Sequence, residues 1–184
     1  VYSMYFKYNL KKTLKNTDMI LYNSEQTKRT TEEIFPEAKS IANVNAYIIS
    51  NPVKKQWDNK DDDYFLYVGN MEKRKGVDLL IKGYLQYKSR GGKKKLILGG
   101  KMQEEEINQI VRSAMMLDED ITYLDYVTHD KKHELYASMS AFVFPSKAEG
   151  FGMPIIEVMR FKKPIIASNL PVSYTHLRAH ETLM

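Results

Sequence analysis

Cysteine is absent from the 184 residues, which excludes a disulfide framework, a thiolate-ligated metal site and a cysteine nucleophile, and suits a reducing compartment. Also absent are an apolar run approaching the roughly 20 residues of a bilayer-spanning helix and the basic-then-apolar opening of a secretory signal. The expected address is therefore cytoplasmic, with contact to the inner face of the membrane as the one peripheral option. Only six Pro and nine Gly are present, so the chain is neither collagenous nor low in complexity. At 43% hydrophobic residues it is too apolar for intrinsic disorder. No G-x-G-x-x-G and no G-x-x-x-x-G-K-[ST] occurs, so the fingerprints of dinucleotide and P-loop chemistry are missing. An initiator methionine is missing too, and Val1 reads as a cut. What is there is a chain that folds around a core, with 28 basic against 23 acidic residues and a net charge of +5. That sign favours anionic partners, whether phosphate, nucleic acid or lipid, and chooses among none of them.

Short β-branched or aromatic runs alternate with longer helical patterns, the order expected of an α/β fold with a parallel sheet and helices on both faces. Residues 1–16 read as a helix, 18–22 as a strand, and Asn23 or Ser24 as the N-cap of a helix running to about Phe35. Tyr47–Ile49 reads as a second strand, closed by Asn51 and Pro52. From Lys54 to Asp63 the chain carries charge at almost every other position, the composition of a linker. Beyond it the pattern predicts strands at 64–68, 95–98, 121–124, 141–144 and 164–167. Helices are predicted between them at 76–88, 104–117, 131–138 and 154–161. Four βα units and a further strand make a Rossmann-like, doubly wound sheet whose ligands lie at the carboxyl ends of the strands.

The loops after those strands are the candidate site. Gly69 to Gly76 is bracketed by glycines and carries Lys73, Arg74 and Lys75 toward the next helix. There free backbone N–H groups and the helix dipole favour an anion such as a diphosphate; a solvated basic turn is the plainer alternative. Gly99-Gly100 is permissive backbone. His129 and His133, spaced i, i+4, have the spacing of a zinc pair, but Thr128, Asp130, Lys131 and Lys132 around them favour a solvent-facing capping turn. The segment from Phe144 to Glu157 carries the strongest signal: a strand end, a glycine-rich turn and Pro154 at the start of a helix. Glu157 falls among Ile155, Ile156, Val158 and Met159, where a carboxylate needs hydrogen-bond donors. Sugar hydroxyls are such donors; the alternative is that Glu149 and Glu157 complement the helix dipole, worth about 0.3–1 kcal/mol each.

Glu149 and Glu157, separated by seven residues with G-F-G-M-P among them, resemble the E-x7-E motif of retaining GT-B glycosyltransferases of the family 4 type. The resemblance continues through Tyr67 to Gly76, Asp125-Tyr-Val127, Phe144-Pro-Ser146 and Pro164 to Asn169. It implies that residues 1–53 end an acceptor-binding first domain, 54–63 link, and 64–171 form an incomplete nucleotide-sugar donor domain. It further implies that Glu157 binds ribose hydroxyls, Glu149 contacts the transferred sugar, and Lys75 holds the diphosphate. Phe151, Gly152 and Met153 would present backbone amides to the sugar or phosphate. Gly69 and Asn70 line the donor loop. Members of the family commonly carry Arg where this chain has Asn70, so Arg74 is expected to supply the second cation, the alternative being a more weakly held diphosphate.

The implied reaction is sugar transfer with retention, in polysaccharide or glycoconjugate biosynthesis, with no metal and no cofactor beyond the donor. A sugar or lipid-linked acceptor would be held by the missing first domain, and the fragment is expected to be inactive alone. Two other readings remain: a basic nucleotide- or nucleic-acid-binding module, and an epimerase or hydrolase of sugar nucleotides. Nucleic acid is not expected, because the run Gly92 to Lys95 has no interleaved aromatics for stacking. Tyr5, Phe6, Leu10, Lys11, Lys12 and Lys15 are expected on a packed surface helix in preference to a membrane-surface one. Residues 172–182, V-S-Y-T-H-L-R-A-H-E-T, resemble a translated frame of a transposon-type sequencing adapter. Residues 172–184 are therefore expected to be non-native, and the i, i+4 pair His176 and His180 is set aside with them.

Overall fold

The computed structural model of the chain describes residues 2–45 and 60–169. They fall into two compact units, one within residues 2–45 and the other within residues 60–169. In the first, helix α1 (Tyr2–Leu14) is followed by strand β1 (Met19–Tyr22), helix α2 (Glu25–Ile34), a 3-10 turn (Pro36–Ser40) and strand β2 (Ala42–Asn45). Ser24 caps α2, its Oγ accepting from the amide of Thr27 at 3.1 Å. Leu14 packs with Phe35 and Ala38 in a small core, while Met4, Tyr5, Phe6 and Tyr8 on α1 are exposed.

β1 and β2 pair in parallel, Met19 opposite Ala42. The sequence did not point to β2, since Ala-Asn-Val-Asn has little strand propensity and is held by its neighbour. The strand expected at 47–49 and the linker residues 54–59 lie outside the described residues, as does the segment 172–184 with its two histidines.

The second unit is a parallel five-stranded sheet in the order β5-β4-β3-β6-β7. The strands are β3 (Tyr64–Val68), β4 (Lys95–Gly99), β5 (Ile121–Leu124), β6 (Ala141–Phe144) and β7 (Ile165–Ala167). Helices α3 (Val77–Ser89), α4 (Glu105–Leu117), α5 (His129–Ser138) and α6 (Met153–Met159) connect them.

Period-two alternation divides each strand between two cores. Tyr67, Leu96 and Leu98 pack with Val77, Ile81 and Val111 of α3 and α4. Leu66, Phe142 and Phe144 pack with Tyr136, Ile155 and Val158 of α5 and α6 on the other face. The doubly wound α/β architecture is the one the sequence pattern implied.

Residues 60–63 are tied to this unit. The amide of Asp62 donates to Ser138 O at 2.9 Å, and Lys94 Nζ donates to Asp63 at 2.8 Å. Lys73, Arg74 and Lys75 form a separate 3-10 turn, parted from α3 by Gly76 at φ +70°, and so do not enter the helix.

Chain order places the reversal of the sheet between β3 and β6. From β3 the chain moves through β4 to β5 at one edge, then returns to β6 and β7 on the other side. The loops after β3 and β6 therefore leave neighbouring strands in diverging directions and open a crevice at their carboxyl ends.

Candidate functional site

Two segments meet at that crevice: the turn Lys73–Gly76 after β3 and the segment Pro145–Glu149 after β6. Gly76 lies so close to Pro145 that a Cβ on it would sit 2.1 Å from the Pro145 carbonyl oxygen. The amide of Lys147 donates to Arg74 O at 2.9 Å, and Arg74 Nη1 donates to Ala148 O at 2.9 Å. This stitching brings Lys75 Nζ to 2.6 Å from Glu149 Oε1, in a pair whose side chains are 18% and 9% exposed. Ser146, fully buried, donates from Oγ to the same carboxylate oxygen at 2.7 Å. Glu149 Oε2 has Arg74 Nη1 at 3.9 Å, and Arg74 Nη2 also pairs with Glu72 at 3.1 Å. The sequence separation of 74 residues between Lys75 and Glu149 is closed by the pairing of β3 with β6 together with these loop contacts. Such charge-assisted contacts in a half-buried place fix both side chains.

Beneath the turn, Tyr67 is buried and its hydroxyl donates to Asn70 O at 2.8 Å. Burial, reinforced by the charges of Glu149 and Glu72, pushes its pKa above the usual tyrosine range, so it remains a donor. Asn70 turns its side-chain amide to Glu72 at 3.1 Å, and the Gly69 amide donates to Gly99 O at 2.9 Å. These two candidates thus shape the loop and stand apart from the Lys75–Glu149 pair. Phe151 lies in the turn, Gly152 takes the left-handed conformation (φ 80°) as N-cap of α6, and Met153 is its first residue. The Gly152 carbonyl accepts from the Ile155 amide at 3.0 Å.

Glu157 is set differently from the sequence argument. Its carboxylate has donors from the chain itself: Tyr136 OH at 3.0 Å and Lys132 Nζ at 2.8 Å, both on Oε2. The apolar neighbourhood of Glu157 therefore does not by itself call for sugar hydroxyls. Lys132 and Tyr136 were missed, although their i, i+4 spacing on α5 was a usable signal for two side chains sharing one target. Ser146 lay within the resemblance at Phe144-Pro-Ser146 but was given no role there.

His129 and His133 stack edge to face at 4.5 Å between ring centres, and His133 also packs on Phe161 at 5.7 Å. Thr128 caps α5, its Oγ accepting from the Lys131 amide at 3.3 Å. The capping turn is present, but His133 is half-buried against α6, which corrects the solvent-facing expectation. Among the described residues no group of three or more His, Cys, Asp and Glu is placed to hold a metal ion, and no helix is long and apolar enough to cross a membrane.

Residues 50–182 match the family model described as Glycosyl transferases group 1. The chain is 32% identical over 121 residues to O-antigen chain mannosyltransferase B of Escherichia coli, covering 65% of this chain and 32% of that protein. It is 26% identical over 175 residues to the O-antigen chain mannosyltransferase RfbU of Salmonella typhimurium, covering 94% and 48%. The chain thus spans less than half the length of either. Among solved structures, Anabaena Alr3699/HepE in complex with UDP and glucose superposes with a TM-score of 0.70 at 16% identity, over 92% of this chain and 50% of that one. The likeness shows a shared GT-B-type fold.

Proposed function

The chain belongs to the glycosyl transferases group 1 family, and we propose on that premise that it carries the donor site of a glycosyltransferase in polysaccharide or glycoconjugate biosynthesis. The donor is a nucleotide sugar, transferred to a sugar or lipid-linked acceptor with retention of anomeric configuration. The observation that carries the reading is the 2.6 Å contact of Lys75 with Glu149 across the switch point of the sheet. It puts a cation and a carboxylate side by side where an α/β sheet takes its ligands, as a diphosphate joined to a polyhydroxylated sugar requires. The O-antigen mannosyltransferases similar to the chain and the fold shared with a UDP-binding neighbour support the same substrate class.

In this reading Lys75 and Arg74 neutralise the diphosphate, Glu149 accepts hydrogen bonds from the transferred sugar, and Glu157 accepts from the ribose. The amides of Phe151, Gly152 and Met153 face the sugar-phosphate link, and Gly69 and Asn70 bound the loop beneath it. As the bond from the anomeric carbon to the phosphate oxygen breaks, negative charge grows on the departing diphosphate, where Lys75 and Arg74 stabilise it most. The acceptor oxygen bonds to the anomeric carbon on the same face, and its proton passes to the departing phosphate oxygen. Neither a covalent nucleophile nor a metal enters this scheme.

Turnover with UDP- and GDP-linked sugars tests it in the complete protein. Lys75→Ala is expected to lower turnover at least about tenfold, since a charge-assisted contact is worth roughly 1.5–3 kcal/mol; unchanged turnover would end the assignment. NMR of the product reports its anomeric configuration, and an inverted linkage would refute retention.

A further inference from the structure

Each carboxylate is anchored twice through one of its oxygens. At Glu157, Tyr136 OH (3.0 Å) and Lys132 Nζ (2.8 Å) converge on Oε2. At Glu149, Lys75 Nζ (2.6 Å) and Ser146 Oγ (2.7 Å) converge on Oε1, while Oε2 has only Arg74 at 3.9 Å. A carboxylate has about four acceptor positions on its two oxygens, and anchoring one oxygen twice fixes the direction of the other.

The anchors are rigid. The Tyr136 ring is fully buried, edge-on to Phe142 at 5.7 Å and tilted against Phe161 at 5.6 Å. Burial and the Glu157 charge also raise its pKa far above the usual tyrosine range, so its hydroxyl stays protonated and donating. Ser146 is fully buried, and its carbonyl accepts a further hydrogen bond from the Ser168 hydroxyl.

We infer that Tyr136 and Ser146 are positioning residues, each pinning one oxygen of a donor-site carboxylate so that the other is aimed at hydroxyls of the nucleotide sugar. Tyr136, helped by Lys132, acts on Glu157 and so on the ribose; Ser146 acts on Glu149 and so on the transferred sugar. The inference rests on the donor-site reading above and adds to it two residues and a division of labour between them. The two are separable because ribose and sugar are different parts of one ligand.

The experiment is calorimetric titration of the full chain with UDP and GDP, with their 2′,3′-dideoxy analogues, and with the matching nucleotide sugars. The unaltered chain is expected to bind the ribo form at least about tenfold tighter than the dideoxy form, the worth of hydrogen bonds to a charged acceptor. In Tyr136→Phe, which keeps the ring and removes only the hydroxyl, that ratio should fall to about threefold or less. Lys132→Met, at a half-buried surface position, should lower the same ratio and serves if the Phe variant does not fold. Ser146→Ala should keep the ribose ratio and lose affinity for the nucleotide sugar relative to the bare diphosphate. Tyr136→Phe and Lys132→Met chains that melt as folded proteins yet keep the full ribose ratio overturn the inference and leave the donor site standing. An unaltered chain that binds neither diphosphate, or binds ribo and dideoxy forms alike, overturns the donor-site reading itself.

Discussion

At the scale of single residues, Gly76 carries more of the site than its lack of a side chain suggests. It takes a left-handed φ of +70° and lies against the backbone of Pro145, so that the Lys75 turn can sit directly on the Glu149 segment. Gly76→Ala would place a Cβ 2.1 Å from the Pro145 carbonyl oxygen, and backbone cannot yield as a flexible side chain does. The left-handed strain and the overpacking together should cost at least about 2 kcal/mol, read as a lower urea midpoint, with donor binding lost as the two loops part. Gly83 is the counterexample within α3, since a Cβ there meets nothing within 4 Å. Gly83→Ala should raise stability by about 1 kcal/mol, because glycine is a poor helix former and alanine the best. Equal effects of opposite expectation at these two positions, or a tolerated Gly76→Ala, would contradict the described packing of the loops. Of the residues that the structure brings together at the candidate site, Lys75 and Glu149 were legible because each sits in a glycine-rich turn directly after a strand. Tyr136 and Ser146 were given no role: the i, i+4 spacing of Lys132 and Tyr136 marks a shared target, but which carboxylate oxygen a side chain reaches is a matter of fold geometry.

At the scale of elements, α5 shows how one helix serves packing and site together. Its Lys132 and Tyr136 hold Glu157 of α6, while His129 and His133 contact each other and His133 packs on Phe161 at the end of α6. The His133 imidazole is held below its usual pKa, first by burial and then by His129 and Lys132, against the weaker pull of Glu157 and Asp130. The neutral form is thus favoured in the folded state, and the unfolded chain takes up the proton first as pH falls. The stability this group contributes is full above its ordinary pKa of about 6.5 and is lost as pH drops toward the lower folded value. The melting temperature should therefore decline from pH 7.5 to pH 5.5 more steeply in the natural chain than in His133→Gln, which has no proton to gain. Parallel melting curves across that range would show that the ring is not the titrating group. Most elements could be read from the sequence because short apolar runs and helix caps agreed, as at β3 and Ser24. The exceptions have tertiary causes. β2 is polar and exists through pairing with β1. The basic turn is cut from α3 by Gly76, whose left-handed conformation answers to Pro145, 69 residues further along the chain.

At the scale of the whole sheet, two places compete for a ligand. One is an open groove of about 330 Å³ between α3 and the strands β3, β6 and β7, lined by Phe65, Leu79, Tyr84, Val143 and Ile166 among others, none of them charged. A diphosphate moved there would leave water for a largely apolar surface that offers no counter-charge, a cost far beyond what apolar contact recovers. The other is the crevice at the carboxyl ends of β3 and β6, where Arg74, Lys75 and Glu149 converge because the strand order reverses between those two strands. Charge favours the crevice for a diphosphate even though the groove is the more apolar concavity. Hydrogen–deuterium exchange of the chain with and without UDP or GDP should therefore show slowed exchange concentrated in Gly69–Gly76 and Pro145–Met153. The opposite edge of the same strands, around Asp63, Asp120 and Ser140, should be unchanged, since it lies a full strand length from the ligand. Protection centred on α3 and β7 would move the nucleotide to the groove and remove the reason for assigning Lys75 to the phosphate. Protection at both β3 and β6 loops, with the edges silent, would tie the ligand to the one point in the sheet where two successive halves of the chain turn away from each other.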